Sequence, residues 1–331
     1  MRKSSSNRVG RSAIIGESPA MRAARDLVER FAQVPIPILL VGETGTGKEL
    51  FAREIHRLSL RSGPLVDINC GAMPSELIEG QLFGHKRGAF TGAMADSPGL
   101  VLQSNGGTLF LDELPSLPLA GQAKLLRVIE TSEFRALGET EKRTIDLRVI
   151  AAASNDIAQR VEAGALRRDL YQRLAGLVID LPPLRDRGRD IVELANHFLS
   201  QNAMRLTEMA ATVAMQHPWL GNVRELKAAM ARVACLTARP VVSGAILNDA
   251  IRLGNPVGVA EDTLSLIARE KERDSLVALA RRCRGDAQAM GAHLGISRAT
   301  VYRRAKALGV SLRKVGRSRL SHRVSGSLET T

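Results

Sequence analysis

The chain has 331 residues, 44% apolar and 24% charged, enough for about two domains with buried cores. Its net charge is +13, and residues 265–331 hold 15 Lys or Arg against five Asp or Glu, so +10 of the excess sits in the C-terminal fifth and points to a polyanionic partner there. Three scattered cysteines without a CxxC pair exclude a zinc ribbon and a disulfide framework, no apolar run approaches the roughly 18–20 residues of a membrane span, and no apolar segment follows the basic N-terminus as in a secretory signal. A cytoplasmic protein with no membrane partner is expected.

In chain order, residues 1–13 read as a short disordered tail. Residues 14–184 alternate helical and strand-like runs. "AMRAARDLVERFAQ" and "ELFAREIHRLS" have helical spacing, whereas "IPILLVG", "PLVDINC", "GGTLFLDE" and "DLRVIAAAS" read as strands. That alternation predicts an α/β fold, a mainly parallel sheet with helices on both faces. Over 185–253 the strand signal vanishes and four helices are predicted, making a small helical subdomain. Residues 254–264 carry Gly and Pro without periodicity and read as a linker. Residues 265–312 are helical and basic, and 313–331 form a basic, Ser-rich tail expected to be disordered.

"GETGTGKE" runs from Gly42 to Glu49, after an apolar strand and before a helix. Strand, glycine loop and helix are the setting of a phosphate-binding loop. Gly42, Glu43, Thr44, Gly45, Thr46 and Gly47 would turn backbone N–H groups onto phosphates, and Lys48 would add a point charge. Glu49 stands where a generic loop has a Ser or Thr metal ligand. "GGTLFLDE" ends a second strand in Asp112 and Glu113, delivering both carboxylates to the ligand-binding edge of such a sheet. Asp112 would hold Mg2+ and Glu113 would polarise the attacking water of ATP hydrolysis. "GAFTGA", Gly88–Ala93, places Phe90 and Thr91 in a glycine-bounded run within a chain only 3% aromatic. The residues alone leave two readings open, a buried glycine hairpin and a mobile contact loop. Near the C-terminus, 286–310 reads as helix–turn–helix: a first helix over 287–294, Gly295 in the turn and Ser297 as N-cap. The second helix carries Arg298, Thr300, Arg303, Arg304 and Lys306 for double-stranded DNA, with Val301 and Leu308 toward a core.

"GETGTGKE", "GGTLFLDE" and above all "GAFTGA" resemble the AAA+ ATPases that activate bacterial sigma-54 RNA polymerase, the enhancer-binding proteins. The resemblance runs from about Ile14 to Ile251 and resumes over the C-terminal helices, which are similar to the Fis-type DNA-binding module. It implies that Gly88, Ala89, Phe90, Thr91, Gly92 and Ala93 form a nucleotide-controlled loop that touches sigma-54 in the polymerase holoenzyme. It implies that Asn69 restrains Glu113, and that Arg167 and Arg173 reach the neighbouring subunit's γ-phosphate in a ring, expected to be a hexamer. Arg224 matches a lid arginine that contacts nucleotide, and Pro182–Arg187 match the join between subdomains. There are departures. Ser154 stands where a phosphate-sensing asparagine is expected, so Asn155 is the candidate to replace it. Leu220 stands where Pro is usual, and Lys86 where an acid is common.

The expectation is thus an enhancer-bound ATPase, with ATP and Mg2+, that remodels a closed sigma-54 promoter complex. With about 13 residues ahead of the ATPase domain, no receiver domain is expected there, and control is expected from a regulatory protein in trans, from expression level or from intrinsic activity. Two alternatives stay open: an AAA+ DNA-remodelling or repair ATPase without sigma-54 contact, and a DNA-binding repressor with a degenerate ATPase.

Overall fold

The computed structural model describes residues 14–72, 74–89, 93–254, 275–294, 296–308, 310 and 312. It divides along the chain into two compact units, between Gly254 and Asn255. The expected N-terminal tail, all but Gly254 of the expected linker, and the C-terminal tail lie outside the described residues.

The first unit opens with α1 (Pro19–Phe31), which starts at a proline and buries Met21, Ala24 and Val28 along one stripe. β1 (Ile38–Val41) is buried throughout and runs through the phosphate-loop sequence into α2 (Lys48–Leu58). β2 (Leu65–Asn69), α3 (Ser75–Phe83), α4 (Gly99–Gln103) and β3 (Thr108–Asp112) follow. After α5 (Leu119–Thr131), β4 (Glu133–Phe134) and β5 (Arg143–Thr144) pair antiparallel. β6 (Arg148–Ala153), α6 (Ile157–Glu162), α7 (Arg168–Leu174) and β7 (Leu177–Asp180) complete the α/β part.

Five strands form one parallel sheet in the order β2-β3-β6-β1-β7. Strand alternation splits its side chains between two cores. Leu39, Leu109, Leu111, Val149 and Ala151 pack with α3, α5 and α7, while Ile38, Leu40, Phe110, Ile150 and Ala152 pack with α1 and α2. Both faces are therefore covered, as the apolar runs predict. β7 was not among the strands read from sequence. It pairs with β1 through Leu177–Asp180 and forms one edge of the sheet.

A 3-10 turn, Leu184–Asp186, leads to α8 (Asp190–Ser200), β8 (Arg205–Leu206), α9 (Glu208–Gln216), α10 (Asn222–Leu236), β9 (Val241–Val242) and α11 (Gly244–Arg252). The four expected helices are present. The expected absence of strands is corrected, since β8 and β9 form a short parallel pair. Thr207 and Ser243 cap α9 and α11 through their hydroxyls, which fixes where those helices begin. The core closes around fully buried Trp219, whose indole N–H donates to the Ala214 carbonyl at 2.7 Å.

In the second unit, residues 275–282 form α12, followed by α13 (Ala287–Leu294) and α14 (Arg298–Ala307). Leu276, Ala280, Ala287, Met290, Val301, Ala305 and Leu312 make its core. The Ser297 hydroxyl accepts from the Thr300 N–H at 3.3 Å, the cap expected ahead of the last helix.

Candidate nucleotide site

The C-terminal ends of β1, β3 and β6 carry the phosphate loop, Asp112 and Ser154 to one edge of the sheet. Here a cavity of about 610 Å³ is walled by Thr44, Gly45, Gly47 and Lys48 of the loop, by Asn69, Asp112 and Glu113, by Ser154 and Arg160, and by Arg224 and Lys227 of α10. Gly47 opens α2 at φ +107°, a left-handed backbone suited to glycine, with open space where a side chain would begin. No side chain caps α2, so its first N–H groups and its dipole are available to an anion. Lys48 Nζ donates to the carbonyls of Gly42 at 2.7 Å and Glu43 at 3.0 Å. Burial pushes the Lys48 ammonium below its ordinary pKa, and the Asp112 and Glu113 carboxylates oppose that shift.

Asp112 is the last residue of β3, and its Oδ1 accepts from the Glu113 N–H at 3.0 Å. Glu113 sits at φ +54°, a left-handed conformation costing roughly 1 kcal/mol for a side chain of this kind. Strain at this residue marks a position whose backbone is dictated by the site. Asn69 was expected to restrain Glu113. Its amide instead donates to Asp112 Oδ2 at 3.5 Å, because the β2–β3 register sets Asn69 beside Asp112 at the ends of neighbouring strands.

Three further expectations are refined. Glu43 does not line the cavity. Its carboxylate is held by Arg185 at 2.5 and 2.8 Å and by Asn222 Nδ2 at 3.0 Å, and the Arg185 hydrogen bond keeps its pKa below the ordinary carboxylate value. Gly42 and Thr46 lie behind the wall, Gly42 through its carbonyl and Thr46 as a buried hydroxyl donating to the Glu43 carbonyl at 2.8 Å. Asn155, the expected replacement sensor, is exposed and outside the cavity lining. β6 ends at Ala153, so the residue delivered to the cavity is Ser154. Glu49 lines the cavity and pairs with Arg53 at 2.7 Å on the next helical turn.

The phosphate loop is tied to the helical subdomain by its own backbone. The carbonyls of Thr44, Gly45 and Thr46 accept in turn from Asn222 Nδ2 at 3.0 Å, from the Val223 N–H at 2.9 Å and from Arg187 Nη2 at 2.7 Å. Gly45 is needed for this approach, since a methyl there would collide with the Gly221 carbonyl. The sequence reading missed Asn222, for which an Asn after a glycine was the available signal, and placed Arg187 only within the Pro182–Arg187 join. It also missed Arg160 and Lys227.

Arg167 and Arg173 are exposed at α7 and do not line this cavity. Arg167 pairs with Asp169 at 2.7 Å. Of the 88–93 segment, Phe90, Thr91 and Gly92 lie outside the described residues. Its base is closed by Gly88 N–H donating to the Ala93 carbonyl at 2.9 Å, by paired His85 and Ser97, and by Lys86 Nζ against Asp96 at 2.9 Å. The departure at Lys86 thus has a local partner. In the second unit, Ser297, Arg298, Arg303 and Arg304 are exposed, Thr300 is half-buried, and Arg298 lies 5.8 Å from the ring centre of Tyr302, which the sequence reading did not single out. Lys306 is within α14.

The residues fit a nucleotide with its magnesium. Among the described residues no group of three or more His, Cys, Asp or Glu could hold a metal. Asp112, a carboxylate beside a phosphate cradle, is the kind of donor Mg2+ uses when phosphates and water supply the remaining ligands. Parallel sheet, phosphate loop, strand-end acid pair and helical lid together define an AAA+ ATPase domain.

Residues 14–180 match the sigma-54 interaction domain family and 185–263 the AAA+ ATPase lid domain family. The chain is 45% identical to the nitric oxide reductase transcription regulator NorR1 of Cupriavidus necator, over 72% of this chain and 48% of that protein. It is 40% identical to the transcriptional regulatory protein ZraR of Klebsiella oxytoca, over 87% of this chain and 67% of that one. The crystal structure of NtrX from Brucella abortus in complex with ATP matches with a TM-score of 0.67 and 30% identity, over 90% of this chain and 70% of NtrX. The chain belongs to the sigma-54-dependent transcription activators, and it spans about half the length of NorR1. Among the described residues no helix is long and apolar enough to cross a membrane.

Proposed function

We propose that this protein hydrolyses ATP as a homo-oligomeric ring, a hexamer, and uses that energy to remodel the closed sigma-54 RNA polymerase promoter complex in the cytoplasm. The observation that carries this reading is the cavity in which Lys48, Asp112, Glu113 and Arg224 meet, in a chain that holds "GAFTGA" at 88–93. Lys48 and the N–H groups opening α2 hold the β- and γ-phosphates. Asp112 would hold Mg2+, which would supply positive charge to offset that of the phosphates. Glu113 accepts a proton from the water that attacks the γ-phosphorus, as the bond to the ADP oxygen breaks. Arg167 and Arg173, exposed and away from their own cavity, act on the neighbouring subunit's phosphates. Phe90 and Thr91 meet sigma-54.

In this layout residues 14–253 are the ATPase domain, 254–264 the linker and 265–312 a Fis-type helix–turn–helix. α14 reads upstream enhancer DNA with Arg298 and Thr300 at its start, while Arg303, Arg304 and Lys306 hold phosphates. The test is association with isolated sigma-54, measured by co-elution. Complex formation with a non-hydrolysable ATP analogue and its loss without nucleotide are expected; no association in either state would overturn the reading.

A further inference from the structure

Ser154 and Arg160 both wall the nucleotide cavity, and Asp156 stands between them. Asp156 is the residue before α6, where an aspartate ordinarily caps the first helical N–H groups. It makes no such cap. Its Oδ1 accepts instead from the Ser154 hydroxyl, and its Oδ2 accepts from Arg160 Nε at 2.8 Å. These two hydrogen bonds hold the Asp156 carboxyl below its ordinary pKa, so it stays ionised. An Asp–Arg pair one helical turn apart on an exposed surface contributes little to stability. Here, however, the carboxylate has given up a cap to join two side chains of the same cavity wall.

The other cations of that wall have different origins. Lys48 belongs to the phosphate loop, and Arg224 and Lys227 to α10. Among the described residues, Arg160 is the cavity cation supplied by the element that follows β6. Asp156 engages Nε, one of five guanidinium donors, which leaves the terminal amines for a ligand. Ser154, by contrast, has its hydroxyl proton committed to Asp156 and cannot also donate it to a phosphate.

We propose that Arg160, oriented by Asp156 together with Ser154, distinguishes nucleoside triphosphate from diphosphate in this cavity by hydrogen-bonding the terminal phosphate. The proposal rests on the nucleotide-site reading and assigns this chain's own phosphate sensor to a residue outside the motifs that define the site. Asp156 is then a positioning residue and Arg160 a specificity-determining one.

The test is equilibrium binding of fluorescent ADP and of a fluorescent non-hydrolysable ATP analogue to the full chain. Arg160→Met should weaken the analogue about tenfold, the loss of one hydrogen bond to a charged group, and change ADP less than twofold. Arg160→Lys should fall between, and Asp156→Asn should lose part of the discrimination. The Arg160 side chain is 53% exposed, so the variants should fold, which circular dichroism checks. Equal weakening of both ligands, or of neither, would overturn the proposal. If Lys48→Ala alone binds ADP as tightly as wild type, the nucleotide-site reading fails first and takes this one with it.

Discussion

Glu113 combines a left-handed backbone with a place beside Asp112 in the cavity, and that pairing of strain and chemistry sets its role. Replacing its carboxylate by an amide keeps shape and backbone but removes the proposed proton acceptor. Glu113→Gln should therefore bind ATP within a few-fold of wild type while turnover falls by about 10²–10⁴, as for loss of a general base. Equilibrium binding and steady-state phosphate release measure the two separately, and a parallel loss of both would contradict the assignment. At this scale the sequence was informative about positions and less so about directions. Lys48, Asp112 and Glu113 were legible because glycine spacing and strand-end acids fix where their backbones lie, whereas Arg224 was placed by the family resemblance alone. Glu43 was not, because only the folded lid shows Arg185 and Asn222 reaching its carboxylate. Nor was the choice between Ser154 and Asn155, which turns on β6 ending at Ala153.

Between elements, the tie from α10 to the phosphate loop is the contact with most consequence. Asn222 is fully buried at φ +54°, and its amide serves Glu43 and Thr44 while its oxygen accepts from the Leu184 N–H at 2.7 Å. Asn222→Ala would leave those groups without partners, at a cost of roughly 1–3 kcal/mol for each one that water does not reach. The expected outcome is a lowered Tm together with weaker nucleotide affinity, because the loop loses its link to the helix that carries Arg224. Thermal unfolding with and without ATP checks it, and a destabilised protein that gains as much from ATP as wild type would contradict it. The buried apolar strands β1, β3 and β6 and the capped helices were readable from their apolar patterns. β7, as short as β1 but at the sheet edge, was missed because "LVID" buries only Ile179 and ends in an acid. β8 and β9 are two residues each and exist only through mutual pairing, which no local pattern announces.

For the whole molecule, an ATPase cavity, a "GAFTGA" segment and a basic C-terminal unit lie on one chain. The first belongs to the described fold, and a Gly88 N–H to Ala93 carbonyl hydrogen bond joins the described ends of the second. In the proposed function, ATP turnover is coupled through residues 88–93 to sigma-54. The most direct measurement compares wild type with Thr91→Ala for ATP turnover and for open-complex formation on a sigma-54 promoter. Wild type should do both, and Thr91→Ala should hydrolyse ATP but no longer open the promoter. Wild-type protein that turns over ATP without opening any sigma-54 promoter, with Thr91→Ala indistinguishable from it, would contradict the account and favour a DNA-remodelling ATPase.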